Sequence, residues 1–242
     1  MEKTLQDRVA VVTGAAGDIG TAIAGRFAAE GARVALIDRK AGLPKEFFVL
    51  ECDLADPAQV KDAVDRAAKH FGALHIVVNN ASADTPKMKV AELPLEDWQR
   101  HFAVNVTAAF LMAKYAIPHM RAAGGGVVLN IASQLGSVTS AGGAAYSASK
   151  AALISLTRSI AVDHSADGIR AVSLSPGAIM TSRLTSRYGS EQAVSELFAG
   201  RHPIGRLGTP QEVAEAALFL ASGKAAFFTG SDVIMDGGYT AV

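Results

Sequence analysis

The chain has 242 residues, 50% of them hydrophobic and 19% charged, with 23 basic residues against 23 acidic ones. That composition excludes a disordered chain, and the balanced charge excludes a nucleic-acid or anionic-membrane binder, which needs a basic field. One cysteine, Cys52, makes no internal disulfide, the opening MEKTLQDRV has no apolar signal core, and no apolar run is long enough to span a bilayer. A cytoplasmic protein with no membrane partner is expected.

In chain order, VAVVTG at 9–14 reads as a buried strand running into a glycine-rich turn, followed by an Ala-rich helix at 19–30 that Gly31 ends. ARVALID at 32–38 is a second apolar strand, finishing on the carboxylate of Asp38. Further strands are predicted at 47–53, 75–81, 126–133, 169–177 and 231–238. Helical periods occupy 57–71, 95–123, 146–164, 191–198 and 210–222. Strands that are apolar throughout and alternate with helices predict a doubly wound α/β fold. Its sheet is parallel, with helices on both faces and right-handed crossovers. With no repeat or polar linker, 1–242 is expected to form a single domain. The weakly patterned stretch 178–205, just past a strand's carboxyl end, is a candidate substrate lid.

The first turn reads Thr13-Gly14-Ala15-Ala16-Gly17-Asp18-Ile19-Gly20. Glycines there let backbone N–H groups approach a pyrophosphate at a helix N-terminus, although a plain tight turn uses the same residues. Its place between the first strand and the first helix favours the nucleotide reading. Asp38, at the end of the second strand, can accept hydrogen bonds from adenosine ribose hydroxyls and would repel a 2′-phosphate, so NAD is expected over NADP. Arg39 opposes this, since a guanidinium beside the ribose can hold that phosphate. A strand-end turn residue is the bland reading of Asp38.

Tyr146 and Lys150 stand four apart on a predicted helix and share one face. An ammonium about 4 Å from a phenol, at an effective dielectric near 20, offers up to ~4 kcal/mol to the phenolate, enough to bring a phenol towards neutrality. A surface helix pair would show the same spacing. Ser133, however, ends the strand GVVLNIAS at the sheet's carboxyl edge, where open α/β sheets bind ligands. Asn105 is a polar residue inside a helical stretch.

Together Thr13-Gly14…Gly20, Asn79-Asn80-Ala81, Asn105, Ser133, Tyr146-x-x-x-Lys150 and Pro176-Gly177 resemble the short-chain dehydrogenase/reductase family, in its smaller single-domain branch. The resemblance runs from Val9 to Asp236-Gly237-Gly238. It implies a Rossmann-type fold and a metal-free oxidoreductase that interconverts a secondary alcohol and a ketone. Tyr146 would be the general acid/base, with Lys150 lowering its pKa and binding the nicotinamide ribose. Ser133 would hold the substrate oxygen, and Asn105 would hold, through its backbone, a water leading from Lys150 to solvent. Cofactor contacts are implied at Gly14, Asp18, Ile19, Asp38, Asp53, Leu54, Asn80, Ala81, Pro176, Gly177, Ile179 and Thr181, besides Tyr146 and Lys150.

The family's habit of forming tetramers through its two long helices implies a homotetramer here, through 95–123 and 146–164. The second carries the small residues Ala148, Ala151, Ala152 and Ser155, which equally suit packing on the sheet. A 3-oxoacyl-thioester reductase of the same family is an alternative, against which Asp38 counts because that role usually runs on NADPH. A non-catalytic NAD-binding protein is another.

Three positions depart from the family pattern. Asp18 stands where the turn has its middle glycine, with Gly17 expected to supply the backbone freedom; Ser82 replaces the glycine of Asn-Asn-Ala-Gly; Val172 replaces an asparagine before Pro-Gly. The six histidines show no metal-ligand spacing, and Trp98 and Phe102 suggest core packing. Arg183, Arg187 and Arg201 read as a solvated loop, or as a site for an acidic substrate. Cys52 reads as a small core residue. Substrate specificity is assigned to the positions after Ser133, to 84–88 and to 178–205.

Overall fold

The computed structural model describes residues 3–40, 42–84 and 87–242. Part of the 84–88 stretch assigned to specificity therefore lies outside the described residues. Seven parallel strands form one sheet: β1 (Val9–Thr13), β2 (Arg33–Asp38), β3 (Phe48–Glu51), β4 (Ile76–Asn79), β5 (Gly126–Ile131), β6 (Ile169–Pro176) and β7 (Asp232–Met235), in the order β3-β2-β1-β4-β5-β6-β7. The predicted doubly wound fold is thus observed. The strand order reverses between β1 and β4, and the crevice at their carboxyl ends is where such sheets bind ligands.

Period-two alternation distributes each strand between two cores. Val9 and Val11 join Ala35, Ile37 and Val77 on one face, under α2 (Pro57–Phe71), α4 (Ala108–Ala122) and α5 (Ala144–His164). Ala10 and Val12 join Leu36, Val78 and Leu129 on the other, under α1 (Asp18–Ala29) and α8 (Pro210–Ala221). Both faces being covered explains why β1 and β4 are buried at every position. Val172, fully buried in the second core, is accordingly an apolar packing residue where the family has an amide.

Helix ends follow local chemistry. Asp56 caps α2 by accepting from the N–H groups of Ala58 and Gln59, with Pro57 behind it, and Thr209 and Glu212 form a reciprocal capping box at α8.

Three predicted elements need correction. The stretch expected as one helix at 95–123 is α3 (Leu95–Phe102), a π-helical turn (Ala103–Thr107) and α4. The helix expected to begin at Tyr146 begins two residues earlier. The stretch 178–205, expected as a lid, contains α6 (Ser182–Tyr188), which the sequence pattern did not suggest, ahead of the predicted α7 (Glu191–Phe198). No helix among the described residues is long and apolar enough to cross a membrane.

Candidate active site

The glycine-rich turn is built by close packing. Gly14 has φ +63°, and a Cβ there would lie 2.7 Å from the Cα of Ala81; a Cβ on Gly20 would lie 2.3 Å from the Gly14 carbonyl oxygen. Neither position admits a side chain. Gly17, by contrast, has φ −84°, so the backbone freedom expected of it is not used. It precedes α1 and supplies no side-chain cap, leaving the first-turn N–H groups without a side-chain acceptor at that end. That is the donor set a pyrophosphate needs.

Asn80 fixes the turn from β4: its Nδ2 donates to the carbonyls of Thr13 (3.1 Å) and Gly14 (3.0 Å), while the N–H groups of Asn80 and Ala81 donate to Thr13 Oγ1 at 3.0 and 3.2 Å. Asn80 therefore shapes the turn through its own side chain. The Asp38 carboxylate also braces it, with Oδ2 accepting from the Ala16 N–H and Oδ1 from the Lys40 N–H, both at 3.0 Å. Asp53 sits exposed on the loop after β3, where its Oδ1 accepts from the Ala55 N–H, and Leu54 turns into the core. Pro176 ends β6, the Gly177 N–H donates to the Met235 carbonyl, and Ile179 bridges to Gly208. Thr181 precedes α6 without a side-chain cap bond. Ile19 packs partly against the core under α1.

The Asp18 carboxylate points away from the turn: its Oδ2 accepts from both the N–H (2.8 Å) and the Oγ–H (2.7 Å) of Ser182. Among the described residues Ser82, the other departure in this region, makes only a local bond to the Ala83 carbonyl.

Ser133, Tyr146, Lys150 and Asn105 come together at the carboxyl end of β5, against the start of α5. β5 stops at Ile131, so Ser133 lies just beyond the strand, where its Oγ accepts from the Leu135 N–H at 3.1 Å. Its hydroxyl faces the Tyr146 phenol and favours the ionised form, but burial outweighs this and holds the phenol above its ordinary range. Lys150 is 2% exposed; its Nζ donates to the Ile131 carbonyl at 2.7 Å and lies 5.7 Å from the centre of the Tyr146 ring. Burial, reinforced by the positive charge of Arg183, pulls its pKa down to about 7. The expected close ammonium that lowers the phenol is thus not what the chain alone provides. Desolvation disfavours both ions.

Asn105 sits in the π-helical turn, a distortion common at functional sites. Its side chain is committed: Oδ1 accepts from the Ala83 N–H at 2.8 Å, and Nδ2 donates to Ser149 Oγ at 2.9 Å. Ser149 in turn donates to the Tyr146 carbonyl at 2.8 Å, so Asn105 ties the loop after β4 to the helix that carries Tyr146. The turn explains why one continuous helix was the wrong expectation.

His101 was not singled out from the sequence. It is 2% exposed, its Nδ1 lies 3.4 Å from Asn105 Nδ2, and its ring meets the Tyr146 ring edge-on at 6.0 Å. Burial lowers its pKa, keeping the imidazole neutral beside the phenol. Only its four-residue spacing from Asn105 could have pointed to it.

Among the three arginines, Arg187 pairs with Asp84, Arg201 lies over the Phe198 ring, and the charge of Arg183 reaches both Tyr146 and Lys150. Trp98 packs on Phe102, yet it is 36% exposed and on an apolar surface with Val90 and Leu95, so this pair is not core. Cys52 is buried and its thiol is pushed up to about 11, chiefly by desolvation, which makes it inert.

A family model described as enoyl-(acyl carrier protein) reductase matches residues 14–240. The cis-4-hydroxycyclohexanecarboxylate dehydrogenase of Sinomonas cyclohexanicum is 41% identical, over all of both chains. The ligand-free aldohexose dehydrogenase of Thermoplasma acidophilum superposes with a TM-score of 0.94 at 33% identity, covering 100% of this chain and 97% of that one. A 7α-hydroxysteroid dehydrogenase complexed with NADH and 7-oxoglycochenodeoxycholic acid superposes with a TM-score of 0.91 at 32% identity, covering 98% and 96%. With these matches spanning essentially the whole sequence, and with the glycine turn, Ser133, Tyr146 and Lys150 at one sheet edge, the chain belongs to the short-chain dehydrogenase/reductase family.

Proposed function

We propose that this protein is an NAD-dependent oxidoreductase that interconverts a secondary alcohol and a ketone, with Tyr146 as the general acid/base. The observation that carries the reading is the convergence of Ser133, Tyr146 and Lys150 at the carboxyl edge of the same sheet whose β1 leads into the uncapped start of α1. Relatives that act on a hydroxycyclohexanecarboxylate and on aldohexoses support the alcohol/ketone class.

In alcohol oxidation, Ser133 would hold the substrate oxygen while Tyr146, as the phenolate, takes the hydroxyl proton; a bound nicotinamide would supply the hydride acceptor. Lys150 would bind the nicotinamide ribose and receive favourable charge from the phenolate as it forms. The first-turn N–H groups of α1 suit the pyrophosphate, and the Asp38 carboxylate suits the ribose hydroxyls. NAD is favoured over NADP because a 2′-phosphate would meet the Asp38 carboxylate. The segment 178–205 is assigned as the substrate lid of a single catalytic domain spanning 1–242. A homotetramer is favoured by exposed Phe110 on α4 and Val162 on α5, the latter on the same helix face as exposed Ala151 and Ser155.

The test is NAD reduction followed by absorbance across polyols, aldoses, cyclic alcohols, hydroxy acids and hydroxysteroids, with NADP in parallel. Turnover of at least one class with NAD is expected. Tyr146→Phe should lower kcat by about 10²–10⁴-fold while NAD binding stays near normal. Full turnover by that variant would remove Tyr146 from the mechanism.

A further inference from the structure

We propose that Asp18 is a positioning residue: it latches the start of the substrate lid to the nucleotide-binding turn, and so sets substrate affinity from the cofactor side of the site. The inference rests on the lid reading of 178–205 given above. Ser182 is the first residue of α6, so its N–H belongs to the donors that a helix leaves without intrahelical partners. Thr181, the residue placed to cap it, offers no side-chain bond. The acceptor comes instead from Asp18, 164 positions away, which takes both the N–H and the hydroxyl of Ser182 on one carboxylate oxygen. Asp18 is also the first residue of α1. One residue therefore joins the first turns of two helices, one carrying the nucleotide turn and the other the lid.

The remaining ties of the lid segment lie elsewhere. His202 Nε2 accepts from the Ala178 N–H at 3.3 Å, and main-chain bonds join Ala178 and Met180 to Gly208, fixing the base of the segment. Arg187, near the end of α6, pairs with Asp84 on the loop after β4. Among these described ties, the Asp18–Ser182 pair alone reaches the glycine-rich turn. It also fixes the place of Arg183, the next residue, whose charge acts on Tyr146 and Lys150. An aspartate in place of the family's turn glycine thus acquires a purpose: it trades backbone freedom that the turn does not use for a contact to the lid.

The test uses Asp18→Gly, Asp18→Asn, Ser182→Ala and the Asp18→Gly/Ser182→Ala double variant in the full chain, with two readouts. The first is the rate of tryptic cleavage after Arg183 and Arg187 in the nucleotide-free protein. The second is KM against kcat for whichever alcohol of the panel above turns over fastest, at saturating NAD. Asp18→Gly and Ser182→Ala should each be cut roughly 3- to 10-fold faster, the range expected for loss of a hydrogen bond to an exposed carboxylate. Each should raise KM by a similar factor, with kcat of Ser182→Ala retained or increased, and Asp18→Asn, which keeps an acceptor, should restore part of the effect of Asp18→Gly on both readouts. In the double variant the effects should fall well short of the product of the single effects. NAD affinity of Ser182→Ala should stay within about twofold.

Unchanged cleavage, or effects that multiply independently, would overturn the latch. Faster cleavage with an unchanged KM would overturn both the positioning role and the lid reading. A protein that turns over none of the panel would count against the proposed function, while the cleavage rates would still decide the latch.

Discussion

Burying an ammonium that is half-neutral at pH 7 costs stability, and Lys150→Met should recover part of it. Lys150 is almost fully enclosed and its pKa lies at about 7. In the unfolded chain the same group titrates near 10.4, so at pH 7 the unfolded state binds about half a proton more. Integrated from high pH, the folded state has lost about 4 kcal/mol by pH 7 relative to a chain lacking the group. The sign follows from a depressed folded value: the cost is full below pH 7 and is relieved as pH rises from 7 towards 10.4. A methionine of similar length removes it, but leaves the Ile131 carbonyl without its donor, which costs about 1–3 kcal/mol. The net gain is about 1–3 kcal/mol, or roughly 3–10 °C in Tm for a chain of this size. Thermal unfolding without nucleotide at pH 7 and again near pH 10 measures it. The variant should be the more stable at pH 7, its advantage should shrink or reverse near pH 10, and its turnover should collapse. A variant no more stable at pH 7, or one with a pH-independent advantage, would refute the assignment of Lys150 as an electrostatically strained group.

Asp38→Ser removes the carboxylate and should move the NAD-to-NADP ratio of kcat/KM towards NADP by about tenfold or more, read in parallel steady-state assays; an unmoved ratio would sink the ribose assignment. Arg183→Gln deletes a charge that lowers both Tyr146 and Lys150, so the rising limb of the pH profile for alcohol oxidation should shift to higher pH. A limb that stays in place would put Arg183 out of electrostatic reach. Asn105→Ala strands the Ala83 N–H and cuts the link through Ser149 to the backbone of α5, and should cost roughly 2–4 kcal/mol in urea unfolding.

Most of the sheet was legible because its strands are apolar on both faces and bounded by glycine, proline and carboxylates. VAVVT and RVALID admit few other readings. The site's main members were legible for a different reason: Ser133, Tyr146 and Lys150 fall at a strand end and one helical turn apart, spacings that survive translation into three dimensions. What escaped was what depends on tertiary partners. The π-helical turn at Ala103–Thr107 follows an unbroken helical pattern, and only the loop N–H of Ala83 and the hydroxyl of Ser149 show why the helix is distorted there. α6 is a seven-residue helix whose N-terminal donor is satisfied by Asp18 from the far side of the sequence, so no local cap announces it. His101 looked like one histidine among six until its neighbours were known.

The charge state of the Tyr146–Lys150 pair shows why geometry and sequence spacing gave different answers. A four-residue spacing predicts proximity, and proximity in a medium of fixed dielectric predicts that the lysine lowers the phenol. Proximity here was obtained by burial, and burial acts on each group separately, raising the phenol and lowering the ammonium. The chain alone therefore holds a neutral acid beside a half-neutralised base, with Ser133 and Arg183 as the neighbours that favour the phenolate. Such a pair is poised, since any further positive charge in the crevice lowers the phenol in an environment where screening by water is weak. The proposed nicotinamide site and the proposed lid border that crevice, and Arg183 stands next to Ser182, the residue that Asp18 holds. Lid position and phenol acidity are then linked: whatever loosens α6 draws the Arg183 charge away from Tyr146, so a loosened lid should move the rising limb of the pH profile to higher pH while kcat on the plateau is retained.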